Sequence, residues 1–293
     1  KKMTWDVDYL RDNRDENMGF LSKTLLPDGT EIPGTNFDYN YLQHRKVDVV
    51  SSALDFILPF EKYKITAGAK VSFTNTRNGI NYDTSDPTLV QDDYFRYKEQ
   101  IYALYADYSR EFSERFSMQL GLRMEHTRTT GISEAKDTED KHDYTRLFPT
   151  VYLLYSPTDG HALNFSFSNR ISRPSQNMVN PFPFYQNKYT YACGREDLKP
   201  SYTYNAELGY TLKNNFNVSA YYSYSDDVFF QVVDLDAETN VTSFLWENFM
   251  QTHAFGLNNS YTFRTKWLQA YAQHGVSYRR TTSSAVTTSS EEK

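Results

Sequence analysis

The sequence predicts an all-β fold: an antiparallel transmembrane β-barrel, or part of one, with about 11 strands of an expected 22. Three observations support this fold class. Apolar and polar residues alternate along many segments, tyrosines stand at the margins of the apolar stripes, and short connections alternate with long ones. A strand places successive side chains on opposite faces, so this alternation predicts one apolar and one polar face.

The stretch from Leu163 to Leu212 shows these features most clearly. In LNFSFSNRI, positions 163, 165, 167 and 171 are apolar and the even positions are polar. About thirty residues rich in proline, asparagine and aromatic rings follow, and Tyr202–Leu212 then alternates again. The buried face of a soluble sandwich favours compact aliphatic residues, whereas tyrosines at both edges are typical of the interfacial girdles of a membrane barrel.

The composition of the 293 residues agrees with such a barrel. The chain has 25 tyrosines and 20 phenylalanines and a mean hydropathy of −0.70. It contains no run near the ~18 apolar residues of a transmembrane helix. A low mean hydropathy still fits a barrel, because only alternate residues of each strand meet lipid. We therefore predict location in the cell outer membrane, with lipid and lipopolysaccharide as contacts.

Several function classes receive no support from the residue content. Cys193 is the only cysteine, which excludes an internal disulfide framework and a cysteine-based metal cluster. A net charge of −6 without a basic stripe argues against a nucleic-acid partner. His44, His161, His253 and His274 lack spaced ligand partners, so we expect no metal and no cofactor.

The first part of the chain predicts three strands, Met3–Tyr9, Val47–Leu58 and Tyr63–Phe73. Arg11–Asn36 is polar and carries turn signals, so we predict a loop there. Pro59–Lys62 forms a short turn between the second and third strands.

The middle of the chain repeats this arrangement. Asn75–Asp93 is predicted as a long loop, and strands at Gln100–Phe112 and Phe116–Met124 follow, joined by a turn at Ser113–Arg115. A charged segment, Gly131–Asp143, is predicted as the next loop.

The remaining elements continue to the end of the chain. The predicted strands are Leu147–Tyr155, Leu163–Ile171, Tyr202–Leu212, Phe216–Tyr224, a strand that includes Phe255 and ends near Phe263, and Leu268–Tyr278. The predicted connections are Pro157–Gly160, the central segment already described, Asn214–Asn215, Asp234–Thr242 and Arg264–Lys266.

Connection lengths thus alternate between about two to five residues and about ten to thirty, as short periplasmic turns and long extracellular loops do. Bacterial barrels use even strand numbers, so about eleven strands indicate half of a barrel that is wide enough to need a plug. We expect residues 1–293 to form one barrel segment without a plug domain or signal peptide, truncated at both ends.

The run from Ser168 to Tyr210 resembles the signature region of the outer-membrane β-barrel family of TonB-dependent receptors. The sequence departs from the family pattern after Gly194, where Arg195-Glu196-Asp197 stands in place of the usual Asn-Pro. The resemblance extends well over Gln100–Tyr224. The matching motif residues, to which the resemblance assigns a structural role, are Arg173, Pro174, Asn180, Pro181, Phe182, Leu198, Lys199, Pro200, Glu207, Gly209 and Tyr210, together with Tyr189-Thr190 and Leu208.

This resemblance implies a 22-stranded barrel with an N-terminal plug and a TonB-contacting segment ahead of it in the intact protein. It implies energised import of a bulky nutrient: a siderophore, cobalamin, glycan or peptide. An alternative within the same family is a plug-independent scaffold for surface lipoproteins or assembly machinery. TonB and a surface lipoprotein are thus the expected partners.

Aromatic side chains in the central connection are candidate ligand contacts, because rings can stack on a sugar or an aryl siderophore. The alternative is that they pack against neighbouring loops and the barrel rim. The candidates are Phe182, Phe184, Tyr185, Tyr189 and Tyr191.

Two other readings carry less weight. An outer-membrane hydrolase would need a pair such as His142 with Asp143 or Asp140, or His126 with Glu125. We predict no enzyme, because His142 lies in a charge-dense segment where a solvated histidine is usual. Calcium could bind Asp83, Asp86, Asp92 and Asp93, although their spacing matches no defined calcium loop. The charged residues expected inside the barrel, Asp107, Arg123, Glu125 and Glu207, predict a cross-strand ladder.

Overall fold

The computed structural model describes residues 1–84 and 92–283, and these residues form one 13-stranded sheet. The helix in this part of the chain, α1 (Gln176–Val179), has four residues, and no described helix is long and apolar enough to cross a membrane. The strands are β1 (Lys2–Ser22), β2 (Phe37–Pro59), β3 (Tyr63–Thr84), β4 (Asp93–Ser113), β5 (Phe116–Ser133), β6 (Thr138–Tyr155), β7 (His161–Ser172), β8 (Phe184–Asn187), β9 (Thr190–Cys193), β10 (Ser201–Leu212), β11 (Phe216–Asp236), β12 (Val241–Arg264) and β13 (Gln269–Ser283).

Eleven long antiparallel strands form the wall, in the order β1 to β7, then β10 to β13. This confirms the predicted all-β barrel wall of about eleven strands. β8 and β9 are short and lie off this path. β9 pairs in parallel with one end of β12, from Thr242↔Thr190 to Leu245↔Cys193, while β13 pairs with the other end.

Most wall strands are longer than the alternation predicts. β1 has 21 residues and β12 has 24, whereas about 9–11 residues span a bilayer. The predicted loop Arg11–Asn36 is therefore wrong in its first part, because β1 continues to Ser22. Beyond the apolar band the outward face of β1 carries mainly polar residues, so the alternation that marks the membrane-spanning part ends while the backbone ladder continues.

The same extension shortens three other predicted loops. β3 runs to Thr84 and β4 begins at Asp93, so only a few residues of the predicted loop Asn75–Asp93 remain, and 85–91 lie outside the described residues. In place of Gly131–Asp143, residues 134–137 join β5 to β6, and residues 237–240 join β11 to β12. Loop length therefore does not alternate strictly, because the wall itself projects at the end where long loops were expected.

The two faces of the wall are those that the sequence predicts. Leu120 and Leu122 are 39% and 50% exposed on the outward face. The register places Arg123 beside Tyr105 and Gly121 beside Asp107, on the opposite face. Tyr105 covers Gly68 of the next strand, where an added Cβ would meet its ring at 2.6 Å, so glycine lets a large inner side chain lie flat on the wall.

Aromatic rings border the outward apolar band at both margins, as predicted. Such girdles place amphipathic rings at the membrane interfaces. The ring pairs, with centroid distances, are Phe60 with Tyr63 at 4.5 Å and Phe112 with Phe116 at 5.3 Å near the short turns, and Phe73 with Tyr102 at 5.8 Å and Tyr222 with Phe255 at 4.8 Å near the projecting strands.

A seam opens in the wall between β6 and β7. Their pairing runs only from Tyr155↔Leu163 to Thr150↔Ser168, so the rest of β6 keeps β5 as its one paired neighbour among the described strands. Pro149 begins the unpaired part, and proline has no N–H to donate to a ladder. Asn169 Nδ2 donates to the carbonyl oxygen of Leu147 at 3.4 Å. This side-chain hydrogen bond links β7 to β6 just beyond the end of their backbone pairing.

Candidate functional site

Residues 173–200, which join β7 to β10, fold into the barrel, and we call them the lumenal connection. They contain α1, β8 and β9, and β9 ties them to β12. Buried residues of this segment pack against the inner faces of β2, β3 and β4. The connection therefore closes part of the lumen within the projecting end of the wall.

A charged cluster fixes the entry of the lumenal connection. Arg173 Nη2 donates to Glu125 Oε2 at 2.6 Å and to Thr127 Oγ1 at 3.2 Å, and Arg173 Nε lies 3.7 Å from Glu99 Oε2. Arg123 Nε donates to the other Glu125 oxygen at 2.5 Å. Glu125 is nearly buried, and a buried carboxylate requires such charge-assisted partners.

An apolar cluster holds the middle of the connection against the wall. Phe182 is 1% exposed, and its ring lies edge-on to that of Phe95 at 6.3 Å. Burial of one such side chain contributes about 1.5–3 kcal/mol. The cluster contains Val179, Phe182, Tyr185 and Leu198 from the connection and Phe37, Tyr39, Tyr41, Ile80 and Phe95 from the wall.

Tyrosine hydroxyls and a lysine bind the proline carbonyls of the connection. The hydroxyls of Tyr39 and Tyr82 both donate to the carbonyl oxygen of Pro183, at 3.1 and 3.2 Å. Lys136 Nζ donates to the carbonyl oxygen of Pro181 at 3.4 Å. Three different points of the wall thus hold the Pro181–Pro183 segment.

The end of the connection is fixed to β11 and β12. The Lys199 N–H donates to Asn248 Oδ1 at 2.8 Å, and Asn248 Nδ2 donates to the carbonyl oxygens of Lys199 and Asp227 at 2.9 and 2.7 Å. Arg195 Nη1 donates to Glu247 at 2.7 Å. Both ends of the connection are therefore anchored by polar contacts, and its middle is anchored by apolar ones.

A cavity of about 350 Å³ lies where the connection faces the seam beside β6. The guanidinium of Arg146 lies 4.7 Å from the ring centroid of Tyr202 and forms no ion pair among the described residues. Burial raises the pKa of Glu196 at the cavity edge, although Thr138 donates to its carboxylate at 3.1 Å. The lining also includes Tyr97, Glu99, His142, Tyr144, Arg173 and Lys199.

This lining offers both stacking and charge. Tyrosine rings present flat faces, and guanidinium and ammonium groups bind oxygen anions. The cavity is therefore the place in the described structure that best suits a small molecule or one arm of a larger ligand.

The structure places the five aromatic ligand candidates unequally. Phe182 and Tyr185 are buried in the apolar cluster, whereas Tyr189 is 55% exposed. Phe184 and Tyr191 are half-buried. Packing therefore explains the positions of Phe182 and Tyr185. Ligand contact by Phe184, Tyr189 and Tyr191 stays a prediction.

The family-motif residues lie in two places. Those from Arg173 to Pro200 belong to the lumenal connection, and Asn180 is 1% exposed within it. Glu207, Gly209 and Tyr210 lie in β10, where the Tyr210 hydroxyl is 2.7 Å from His161 Nδ1. Their individual structural roles stay predictions.

Of the proposed hydrolase pairs, His142 with Asp143 does not form, whereas His142 does contact Asp140. Thr129↔His142 and Arg128↔Asp143 are successive register pairs, so the two side chains point to opposite faces of β6. Asp143 Oδ2 accepts from Arg128 Nε at 2.9 Å, while His142 Nε2 lies 2.8 Å from Asp140. The Glu125 carboxylate likewise binds Arg123 and Arg173, and its neighbour His126 faces outward.

Two of the four acidic residues considered for calcium, Asp92 and Asp93, bind donors of the chain itself. Asp92 accepts from the N–H of Tyr82 at 2.7 Å, and Asp93 accepts from the Ser133 hydroxyl at 2.6 Å. Asp86 lies outside the described residues. Among those that are described, no group of three or more His, Cys, Asp or Glu could hold a metal ion.

The sequence did not identify the cavity or the inward course of the connection. The available signal was the density of aromatic and proline residues in a segment too long for a simple turn, since long segments of this kind often fold on themselves. Of the wall positions that receive it, Ile80 lies in a segment predicted as a loop, and Phe95 lies between that loop and the next predicted strand.

Comparison with known proteins agrees with this architecture. The model of the outer membrane protein beta-barrel family matches residues 1–293. No curated protein sequence matches the chain.

Several solved structures share the fold at low sequence identity. The copper transporter OprC is 12% identical with a TM-score of 0.60, over 92% of this chain and 47% of that one. The ferric yersiniabactin uptake receptor FyuA from Yersinia pestis is 15% identical with a TM-score of 0.53, over 95% and 40%. The ferric citrate transporter FecA is 11% identical with a TM-score of 0.52, over 94% and 44%. The chain thus spans less than half the length of these structures.

Proposed function

Because the chain belongs to the outer membrane protein beta-barrel family, we propose that it forms the wall and extracellular loops of a TonB-dependent receptor that imports a bulky nutrient. The ligand would be captured at the projecting end of the wall. A plug, moved through TonB, would then admit it. The solved structures named above are described as transporters or an uptake receptor, which favours import over an enzymatic role.

The single observation that carries this proposal is the lumenal connection. It is anchored at both ends and in the middle, so the cavity beside it is shaped before any ligand arrives. A preformed site binds with a smaller entropic cost than one that must first be ordered. A barrel that served only as a scaffold would not need such a cavity.

The cavity also bears on the class of nutrient. Arg146 has no ion-pair partner among the described residues, and the rings of Tyr144 and Tyr202 stand beside it. Among siderophores, cobalamin, glycans and peptides, this lining favours a ligand that combines flat groups with oxygen anions. A ferric siderophore is such a ligand.

The inner face below the connection supports the presence of a plug. A further cavity of about 570 Å³ there is lined by Asp107, Arg123 and Arg170 among others. Charged groups on an inner wall are suited to hydrogen bonds with another folded segment. TonB and a surface lipoprotein are the further partners that we propose for the intact protein.

Growth on single nutrients tests the proposal. A strain that lacks the gene should fail to grow when one ferric siderophore is its only iron source, and growth should return with the intact gene but not in a strain without TonB. Arg146→Gln should reduce uptake roughly tenfold if it removes one charge-assisted contact. The matched control is Arg128→Gln on the outward face, which should leave uptake unchanged.

Uptake that persists without TonB would contradict the proposal. Normal growth of the deletion strain on every candidate nutrient, together with loss of a lipoprotein from the cell surface, would instead favour the scaffold function.

A further inference from the structure

Two strand edges face each other across an opening in the projecting part of the wall, and we call this opening the window. β7 and β10 have 12 residues each, whereas their neighbours β6 and β11 have 18 and 21. Residues 138–148 of β6 and 228–236 of β11 therefore continue above them, each paired on one side only among the described strands. The window replaces two strands, so its edges are three strand spacings apart, or roughly 14 Å.

The chain that borders the window does not fill it. Pro174 follows the end of β7 and Pro200 precedes the start of β10, and a proline has no N–H to donate to a ladder. Arg173 turns inward to Glu125 at 2.6 Å, so residues 173–200 enter the lumen instead of extending the two strands. The cavity of about 350 Å³ is lined by residues of both β6 and β11, so the base of the window is open.

The β11 edge of the window has the features of a pairing site. Residues 228–233, VFFQVV, contain no charge and no proline. Phe230, Val233 and Leu235 are 58%, 60% and 62% exposed. Native edge strands are usually protected by charges, prolines or bulges, and an unprotected apolar edge is a template for another strand. The β6 edge, by contrast, carries the charged run EDKHD at residues 139–143.

The register shows which backbone groups of β11 point into the window. The Thr242 N–H donates to the carbonyl oxygen of Tyr189, just before β9, at 2.7 Å, so the backbone of Thr242 points away from β11. Its register partner Leu235 therefore directs its own N–H and C=O away from β12, into the window. The direction alternates along a strand, so Val233 has the same orientation.

Acidic side chains flank the apolar edge, and residues 216–252 contain no lysine or arginine. In antiparallel pairing with a second copy of the same edge, Asp236 would stand opposite Asp227, and like charges in that position destabilise a sheet. The charges instead complement a strand with basic ends. The acidic residues are Asp226, Asp227, Asp234, Asp236 and Glu238.

We propose that the window is the docking site for a β-hairpin of a partner protein, with an apolar strand that pairs with β11 and basic residues at its ends. Two strands match the width of the window and complete both ladders, whereas the edge of a larger sheet would not enter. In strand addition of this kind the backbone supplies affinity and the side chains supply specificity.

The window opens outside the membrane. Val228 lies six residues beyond Tyr222 of the aromatic girdle along β11, which is roughly 20 Å at about 3.3 Å per residue. The partner therefore approaches from the aqueous side of the projecting wall.

A synthetic hairpin tests this inference. The probe is a disulfide-closed peptide with two strands of alternating valine and threonine and a lysine at each end, titrated against the intact protein purified in detergent. We expect saturable one-to-one binding. A proline in the middle of each probe strand should weaken binding roughly tenfold, because it removes ladder hydrogen bonds. Glutamates in place of the lysines should weaken it to a similar degree.

Val233→Pro tests the backbone contact. The N–H that it removes points into the window, so the ladder with β12 stays intact, and prolines are tolerated on edge strands. Affinity for the lysine hairpin should fall roughly tenfold. Val233→Thr is the matched control, because it keeps the N–H and the branched shape and should bind normally. Heat-modifiable migration in gels should show that both variants are folded barrels.

Asp234→Lys tests the charge match and remains available if Val233→Pro does not assemble. It should weaken binding of the lysine hairpin and strengthen binding of the glutamate hairpin, each by roughly threefold. The control is Glu114→Lys, an exposed residue in the short turn at the opposite end of the wall, which should change neither. Equal loss for both hairpins would contradict the charge match.

Other results would overturn the proposal. These are an absence of saturable binding, unchanged binding by Val233→Pro, and equal binding of the proline-containing hairpin. A dimer in sedimentation that Val233→Pro dissociates would assign the edge to a second copy of the chain. Uptake of the hairpin that depends on TonB would assign it to a transported peptide instead of a partner protein.

Discussion

Gly194 lies directly against the backbone of Asn180. The Gly194 N–H donates to the carbonyl oxygen of Asn180 at 2.8 Å, and the next N–H, of Arg195, donates to the carbonyl oxygen of Met178 at 2.8 Å. A Cβ at position 194 would stand 2.6 Å from the Asn180 nitrogen and 2.7 Å from the Met178 oxygen. Glycine is required here because two backbone segments touch, and neither can yield as a flexible side chain would.

Gly194→Ala should therefore separate the two arms of the lumenal connection. We expect a loss of about 1–3 kcal/mol, the usual cost of overpacking, measured by denaturant unfolding in lipid vesicles. Gly79→Ala is the matched control, because its Cβ would meet Tyr94 at an ordinary 3.5 Å. Equal losses in the two variants would show that the close approach at Gly194 has no special importance.

The sequence predicts the wall well, because period-two alternation follows directly from strand geometry and from the contrast between lipid and lumen. It fails where that contrast ends. Between Arg11 and Ser22 the outward face of β1 carries mainly polar residues, so the alternation with a lipid-facing apolar stripe ends. The ladder with β2 continues, and Phe20 packs against the apolar cluster inside.

The candidate site was less predictable for a different reason. Arg173 and Glu125 are 48 residues apart, and their contact depends on how the connection turns into the barrel. The resemblance identified Arg173 as a motif residue and the alternation placed Glu125 inside the wall. Neither signal showed that the two side chains meet.

Removal of one partner of that pair tests its contribution. Arg173→Met should leave Glu125 nearly buried without its main partner, and breaking a buried ion pair costs about 3–5 kcal/mol. Glu125→Gln in the same chain should recover much of the loss, because no buried charge then remains. Thermal unfolding of the two variants measures both effects, and additive losses would contradict a direct interaction.

The rate at which the Cys193 thiol is alkylated measures how firmly the lumenal connection is held. Burial raises the pKa of its thiol above the ordinary value of 9.0, and the thiolate is the reactive form. We expect iodoacetamide to label the folded protein far more slowly than the unfolded protein at pH 8. The Gly194→Ala variant should be labelled faster, since its connection is less firmly held.

The sign of the pH effect follows from the same shift. A thiol whose pKa is raised by folding contributes stability below the unfolded value, and that contribution is lost as the pH rises through the folded value. Stability should thus fall slightly above about pH 9. Cys193→Ser should remove this dependence of stability on pH.

The double variant Cys193→Ser/Glu238→Cys is the control for labelling. Its thiol lies in an exposed turn, so iodoacetamide should label it rapidly. Equal labelling rates at positions 193 and 238 would contradict the partial burial of Cys193.

Neighbouring positions in β5 test the assignment of the two faces. Leu120 is exposed on the outward face at the middle of the apolar band, where an arginine costs about 2–4 kcal/mol in a bilayer. Gln119 precedes it in β5, so its side chain points to the opposite, polar face, and Gln119→Arg should be tolerated there. Unfolding of Leu120→Arg and Gln119→Arg in vesicles measures the difference directly. Because the two residues are neighbours in one strand and lie at nearly the same depth, equal losses in the two variants would contradict this assignment of the faces.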